Sequence, residues 1–522
     1  MKRRSFLKAS SLATVPVLIN GIPVEAIAKS TFANFVNPED DRILVVIQLS
    51  GGNDGLNMII PLDQYSNLFK VRDKILLQED KITKLTDKVG IHPIMTGVKN
   101  LYDDGKLKLV HSVSYPNQNR SHFRSTDIWT SGSAADKFET TGWLGRAFQL
   151  DHANYPTGYP NTDYPDPLAI TIGSLVSETC QGTVANFSMA LNDPATLRQL
   201  TEAEKGTLPQ TNYGYELAFM INAIRQTNRY SDVVSAAYNK ATNLSSKYPA
   251  AGNQLADRLK IVARLINGGL KSKVYVVNLG GFDTHANEID VLDDTHTTGT
   301  HANLLNQLSI AMEAFQDDLR LMGKEKQVVG MTFSEFGRQI KANDSTGTDH
   351  GTAAPMFLFG SCIKPGILGE NPTISDTVQN GEGVAMQYDF RSIYASLLID
   401  WFKIDANVVK SIMFGEFQKL SLIEGCDTTV DQKDYNIDFN IDLSVLPNPT
   451  QDFINISFAS KSTFVSIKLY DIYGSELKTM HNGRMEQGEH IIKLDIKDIV
   501  AGKYFIRINT DKAQKTKAFL KY

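Results

Sequence analysis

The chain has 522 residues, 42% of them apolar and 21% charged, which excludes a disordered, collagen-like or coiled-coil protein and supplies material for a large core. Lys and Arg number 53 against 58 Asp and Glu, a net charge of -5, so no basic excess supports nucleic-acid binding and no nucleic-acid partner is expected. Three cysteines, Cys180, Cys362 and Cys426, are too few for a disulfide framework or a cysteine-based zinc module, and allow one bridge with a thiol left over.

The first residues read as an address. Lys2-Arg3-Arg4-Ser5-Phe6-Leu7-Lys8 is cationic, residues 9–22 are apolar or small but too short for a membrane anchor, and Ala26-Ile27-Ala28 offers small residues to a signal peptidase. Residues 1–28 are therefore expected to be a signal peptide cut after Ala28. Arg3, Arg4, Phe6, Leu7 and Lys8 resemble a twin-arginine export signal, with Lys2 in place of the usual Ser or Thr. An ordinary general secretory signal is the alternative. Its removal takes away Lys2, Arg3, Arg4, Lys8 and Glu25, three net positive charges, and leaves a mature charge of -8.

From residue 40 to residue 423, apolar runs rich in β-branched residues alternate with helical patterns. Residues 43–47, 107–113, 168–172, 274–279, 328–333 and 356–359 have the composition of strands covered on both faces. Leu304, Leu308, Met312, Phe315 and Leu319 form a helical stripe within 303–322, and Leu255, Leu259 and Val262 form another within 254–266. The alternation predicts an α/β domain with a large, mainly parallel sheet flanked by helices.

In such sheets ligands bind outside the carboxyl ends of the strands, and four polar clusters fall there. Ser50-Gly51-Gly52-Asn53-Asp54-Gly55 follows the first strand, and Pro116-Asn117-Gln118-Asn119-Arg120-Ser121-His122-Phe123 the second. Gly280-Gly281-Phe282-Asp283-Thr284-His285 follows residues 274–279, and Ser334-Glu335-Phe336-Gly337-Arg338 follows 328–333 and continues to Gly347-Thr348-Asp349-His350-Gly351. Taken singly, a Gly-flanked Asp is a turn or cap and a lone His a satisfied polar residue. The first cluster lacks the G-x-G-x-x-G spacing of a dinucleotide site. Jointly, Asp54, Asp283, His285, Asp349 and His350 supply the oxygen and nitrogen ligands of a zinc, manganese or similar divalent site. Carboxylates gathered at one edge repel; two cations about 4 Å apart would neutralise them and clamp the attacking and leaving oxygens of a phosphoryl or sulfuryl transfer. The alternative is a set of caps and turns without metal.

These motifs, with Asp127-Ile128-Trp129 and Gly142-Trp143-Leu144-Gly145-Arg146, resemble the bacterial domain-of-unknown-function family 1501, which is itself similar to the alkaline phosphatase and sulfatase superfamily. The resemblance covers residues 42–401. It implies an alkaline phosphatase-like fold, metal binding by Asp54, Asp283, His285, Asp349 and His350, and Ser121 as nucleophile with His122 as ligand or base. Ser121 Oγ or a metal-bound hydroxide would attack the ester. Arg338 or Arg120 would stabilise the transferring oxygens, Arg338 alternatively pairing with Glu335 one helical turn away. Glu335 is an additional ligand or a cap. Two departures stand out: Asp283-Thr284-His285 is shorter than the superfamily's Asp-x-x-x-His, and no clear final His follows His350 within the domain. His122, His296 or His301 would fill that place, or one metal site is incomplete. Trp129 and Trp143 are expected in the core.

Residues 424–440 read as a polar linker. In residues 441–522 short alternating runs at 453–458, 465–470, 490–494 and 504–508 predict a small β-sandwich. Leu446-Pro447-Asn448-Pro449-Thr450, Leu469-Tyr470-Asp471-Ile472-Tyr473-Gly474, Ala501-Gly502-Lys503-Tyr504-Phe505 and residues 515–522 resemble the type IX secretion C-terminal sorting domain of Bacteroidetes. A carbohydrate-binding or adhesion sandwich is the alternative. The resemblance implies passage through the periplasm, by twin-arginine or general secretory machinery, and then through type IX machinery to the cell surface or medium. Such cargo generally enters the periplasm by the general secretory route, which sits awkwardly with a twin-arginine start. The expectation is an exported metal-dependent hydrolase acting on a small or polymeric anionic ester of phosphate or sulfate. The competing expectation is a catalytically inactive surface binding or assembly protein on the same scaffold.

Overall fold

The computed structural model describes residues 18–19, 22–23, 40–195, 197, 212–426, 443–460, 464–471, 476–486, 488–510 and 514–522. Most of the expected signal peptide, residues 427–440 of the expected linker and Ile472-Tyr473-Gly474 of the tail motif lie outside the described residues. Two units emerge, one ending at Cys426 and one formed by the tail from Asp427 onward.

The first unit is organised by a nine-stranded sheet. Its strands are β1 (Ile43–Ser50), β2 (Leu107–Ser114), β3 (Ala169–Ile172), β4 (Ser188–Leu191), β5 (Val274–Gly280), β6 (Val328–Phe333), β9 (Ala354–Phe359), β10 (Gly366–Leu368) and β11 (Tyr388–Asp389). Between β6 and β9, β7 (Arg338–Ala342) and β8 (Thr348–His350) form a separate antiparallel ribbon. The order across the sheet is β10-β2-β9-β6-β1-β5-β3-β4, with β11 also on β2. β1 lies between β5 and β6 and is parallel to both. Ile43, Val45, Ile47 and Leu49 join one core cluster, while Leu44 and Val46, on the opposite face, are also buried, as the unbroken apolar run requires.

β9 alone is antiparallel to its neighbours β6 and β2. This reversal positions the site. β1, β2, β5 and β6 end at the same edge, and β9 begins there, so the segment leading into it, Asp349-His350-Gly351, arrives among the loops that leave the parallel strands.

Helices α3 (Gln254–Asn267) and α4 (Thr300–Leu321) cover one face. Leu304, Leu308, Met312, Phe315 and Leu319 pack in the same cluster as β1, each side chain contributing about 1.5–3 kcal/mol by its removal from water. The Asn253 side chain caps α3 by accepting the Ala256 N–H at 2.9 Å. Trp129 and Trp143 are buried, stacking on Phe390 at 4.3 Å and on Tyr394 at 4.1 Å. Cys362 and Cys426 form a disulfide, leaving Cys180 free and buried. The helical turn expected between Glu335 and Arg338 is absent: Ser334 to Phe336 is irregular, Gly337 bridges to Asn53, and Arg338 starts β7.

The tail unit has two antiparallel sheets. β12 (Ser444–Leu446), β13 (Phe453–Ser460) and β16 (Gly488–Asp495) make one; β14 (Phe464–Tyr470), β15 (Glu476–Arg484), β17 (Gly502–Thr510) and β18 (Gln514–Lys521) make the other. Alternate residues such as Ile454, Ile456, Val465, Ile467, Ile506 and Ile508 form its core.

Candidate metal centre

Loops far apart in sequence meet at the carboxyl edge. Gly51 and Gly52 both have positive φ, 125° and 78°. A Cβ on Gly51 would collide with the backbone of Phe282 and Asp283, and one on Gly52 with the Phe336 ring; the glycine pair is what lets the loops close on one another. The loop after β2 leads into α2 (His122–Ser131), which has Ser121 at its N-cap and left-handed Gly132 at its C-cap. The buried Phe336 ring lies 4.9 Å from the ring of His122 and 4.7 Å from that of His350, a floor beneath both.

Asp283 is the hub. Its Oδ1 lies 3.2 Å from His285 Nε2 and 3.3 Å from His350 Nε2, and its Oδ2 lies 3.4 Å from His122 Nε2. Each ring is held from behind through its other nitrogen. His350 Nδ1 donates to the Arg120 carbonyl at 2.8 Å, and His285 Nδ1 donates to Asp349 Oδ1 at 2.9 Å. His122 Nδ1 faces Glu335 Oε1 at 2.8 Å, and the same oxygen accepts the Gly51 N–H at 2.9 Å. Backing of this kind fixes imidazole tautomer and orientation around a metal.

Protonation follows from these contacts. The His285 hydrogen bond holds Asp349 below the usual carboxylate range against partial burial, with help from Asn343. A carbonyl and a carboxylate accept only, so in both His285 and His350 the Nδ1 carries a proton toward its backing partner. Those two Nε2 atoms stand 2.9 Å apart, close enough to share a proton or a cation. Burial, reinforced by Arg338 and His122 against the Arg120 carbonyl and Asp283, lowers the His350 pKa below its ordinary 6.5, which favours the neutral ring. Partial burial works against ionisation of Asp283, but the hydrogen bond and charge of Arg338 outweigh it and its pKa is lowered. His122 Nε2 is buried and makes no hydrogen bond.

This donor set fits a divalent cation. The ligand atoms of His122, Asp283 and His350 all lie within 4.8 Å of one another, and His285 Nε2 lies 3.2 Å from Asp283 Oδ1 beside them. Metal–nitrogen bonds of about 2.0–2.1 Å place tetrahedral ligands about 3.3 Å apart, close to the separations between Asp283 and the three Nε2 atoms. The Asp283 side chain is 49% exposed, so the centre opens to solvent.

Other expected residues are placed differently. Asp54 does not join the cluster: it is buried, receives Arg72 Nη1 at 3.0 Å and accepts the Leu56 N–H at 3.2 Å as cap of the turn Gly55–Met58. The Arg338 guanidinium does not face the open edge. It is buried and donates to the carbonyls of Gly51, Gly52, Phe282 and Thr348 and, at 2.6 Å, to Asp283 Oδ1; it pairs with Asp283, not Glu335. His301 is buried, meets Asn53 Oδ1 at 2.9 Å, and has its pKa lowered by burial to about 4. His296 Nδ1 donates to the Leu76 carbonyl. Ser121 is exposed, and its hydroxyl does not cap α2. Arg120 donates to the carbonyls of His350 and Gly381.

Two residues of this region escaped the sequence reading. Glu288 is fully buried: its Oε2 accepts from Thr284 and Thr348 at 3.1 and 2.9 Å, and its Oε1 from Asn57 at 3.1 Å. Arg72 lies at the end of α1 (Tyr65–Arg72). An acid three positions after His285 was the one local hint of Glu288; nothing local marked Arg72.

No curated protein matches the sequence. Among solved structures, a protein in the alkaline phosphatase superfamily from Vibrio parahaemolyticus is 10% identical over 88% of this chain and 89% of its own, with a TM-score of 0.33. The lipoteichoic acid synthase LtaP from Listeria monocytogenes is 10% identical over 77% of this chain and 81% of its own, with a TM-score of 0.32. PorZ of Porphyromonas gingivalis, described as an essential bacterial surface component of the type-IX secretion system, is 17% identical over 20% of this chain, with a TM-score of 0.13, and the chain spans 14% of its length. A sorting domain matched at residues 444–521 directs its chain to the type IX system and so to the cell surface or medium. The chain belongs to the family described as protein of unknown function, DUF1501, which matches residues 42–413, and it carries a secretion system C-terminal sorting domain.

Proposed function

We propose that the protein is an exported metal-dependent hydrolase of phosphate or sulfate esters. The observation that supports this is the convergence of three imidazole Nε2 atoms on Asp283 at the open sheet edge, each ring backed through Nδ1. A divalent cation bound there supplies charge stabilisation to the ester oxygens and lowers the pKa of a nearby hydroxyl. His122, Asp283 and His350, with His285 beside them, would hold it. Ser121, adjacent to His122 and with a hydroxyl not consumed in capping, is the proposed nucleophile, and the free N–H groups of the first turn of α2 face the anionic group. Arg338 keeps Asp283 ionised and oriented. In the proposed route, residues 1–28 are removed on export by twin-arginine or general secretory machinery and the protein crosses the periplasm on its way to the surface.

The second reading, a surface binding or assembly protein without turnover, is favoured by one observation: Arg338 spends its donors on the protein itself. Hydrolysis of aryl phosphate and aryl sulfate by protein purified without chelator separates the two. Metal-dependent cleavage that Asp283→Ala abolishes is expected; metal binding without cleavage supports the second reading, and full activity of Asp283→Ala sinks the proposed site.

A further inference from the structure

We infer that the centre takes a single, nitrogen-favouring divalent cation, because an internal guanidinium fills the role a second cation would have at Asp54. The inference rests on the metal site proposed above and is independent of turnover.

The carboxylate that leaves β1 is already neutralised. Asp54 and Arg72 are both buried, with Arg72 Nη1 3.0 Å from Asp54 Oδ2. The guanidinium is locked by its other donors, Nε to the Ile340 carbonyl at 2.8 Å and Nη2 to the Gln339 carbonyl at 3.0 Å. It cannot swing aside for an ion without abandoning two backbone carbonyls of β7. The neighbouring Glu288 adds no charge: burial, and then the negative Asp54, push its pKa well above the usual range, so it stays protonated. His301, whose Nδ1 is 3.9 Å from Glu288 Oε1, is neutral. The interior group therefore holds one negative and one positive charge and balances without a metal. A second cation would add an uncompensated charge in a buried site, which is strongly unfavourable.

The exposed cluster is the opposite case. It gathers two carboxylates, Asp283 and Asp349, and the Nε2 atoms of His122, His285 and His350 all lie within 3.4 Å of Asp283. Arg338 pairs with Asp283, while the buried Nε2 of His122 has no hydrogen-bond partner and is open to a cation. Three imidazoles against one carboxylate favour zinc, cobalt or nickel over magnesium or calcium, which prefer all-oxygen sites. The buried group also braces the exposed one. Thr284, between Asp283 and His285, and Thr348, before Asp349, both donate to Glu288 Oε2, so the charge-balanced interior ties together the two loops that carry these site residues.

The test is metal stoichiometry of the full chain, stripped with chelator and dialysed against zinc or magnesium, read by elemental analysis. One equivalent of zinc, with none of magnesium retained, is expected. Cobalt(II) in its place should give a visible absorption band, and His122→Ala and His350→Ala, at the solvent-accessible cluster, should each lower zinc retention at least tenfold. Two equivalents in the wild type, no metal at all, preference for magnesium, or full retention in both His variants would each overturn the inference. One equivalent without ester cleavage leaves it standing and removes the hydrolase reading; two equivalents with cleavage does the reverse.

Discussion

Arg338 Nη2 and Asp283 Oδ1 are joined at 2.6 Å across a steep change of environment, the guanidinium side chain fully buried and the carboxylate 49% exposed. The arginine is both the counter-ion of the hub and the clip that holds four backbone carbonyls from two loops and the start of β8. Lysine cannot reproduce that fork. Arg338→Lys is expected to lower unfolding free energy by about 3 kcal/mol, since each buried carbonyl left unpaired costs about 1–3 kcal/mol, and to weaken metal binding as well. Denaturant unfolding with and without zinc measures both; a variant as stable as wild type would show that the carbonyls find other partners.

Asp54→Ala leaves Arg72 charged and alone in the interior, a change that costs about 3–5 kcal/mol. The loss should appear as a lower denaturant midpoint in metal-free protein, which separates it from any effect on the exposed centre.

Glu288 gives stability a pH dependence of known sign. In the folded chain its pKa is well above the ordinary 4.5, so the folded state keeps a proton that the unfolded chain releases. Its contribution is complete below about pH 4.5 and is lost as pH rises toward the folded pKa. Asp54, whose pKa is lowered from 3.8 because burial is outweighed by Arg72, the Glu288 hydrogen bond and His301 together, contributes above about pH 3.8 and loses that contribution only in stronger acid. Above about pH 4.5, until the raised pKa of Glu288 is reached, only Glu288 of this pair changes the balance. Glu288→Gln should therefore decline less in stability over that range than wild type, in metal-free unfolding titrations. Parallel curves for the two proteins would mean that Glu288 is ionised in the fold.

The Cys362–Cys426 bridge closes a loop of 64 residues, worth about 4 kcal/mol in the chain-entropy description. Cys426→Ser should lose much of that in unfolding experiments. In the oxidised wild type, thiol titration should find no reactive group until denaturant exposes Cys180.

Residues 441–522 fused to an inert periplasmic protein should carry it to the surface of a host with a type IX system. Retention in the periplasm would place the sorting signal elsewhere.

The strands and the helices α3 and α4 were legible because their signals are local: an unbroken β-branched run reads as a strand buried on both faces, and a stripe at spacings of three and four reads as a covered helix. The strand-end motifs were legible for the same reason. Less so was the division of labour among them. Asp54 and Asp283 each follow a glycine-flanked turn after a parallel strand, yet one is sealed against Arg72 and the other stands half in water. Whether His122 serves as ligand or base is not a local property either, since the carboxylate behind its Nδ1, Glu335, comes from a distant loop.

The sequence by itself determined the class of fold, the edge at which chemistry gathers, the inventory of nitrogen and oxygen donors and the sorting tail, since periodicity, turn residues and motif order are properties of short stretches of chain. Tertiary structure alone decided which acids keep their charge and where it is spent. That choice depends on partners brought from distant segments, such as Arg72 to Asp54, Thr284 and Thr348 to Glu288, and Arg338 to Asp283, and on burial, which multiplies the energy of each of those contacts.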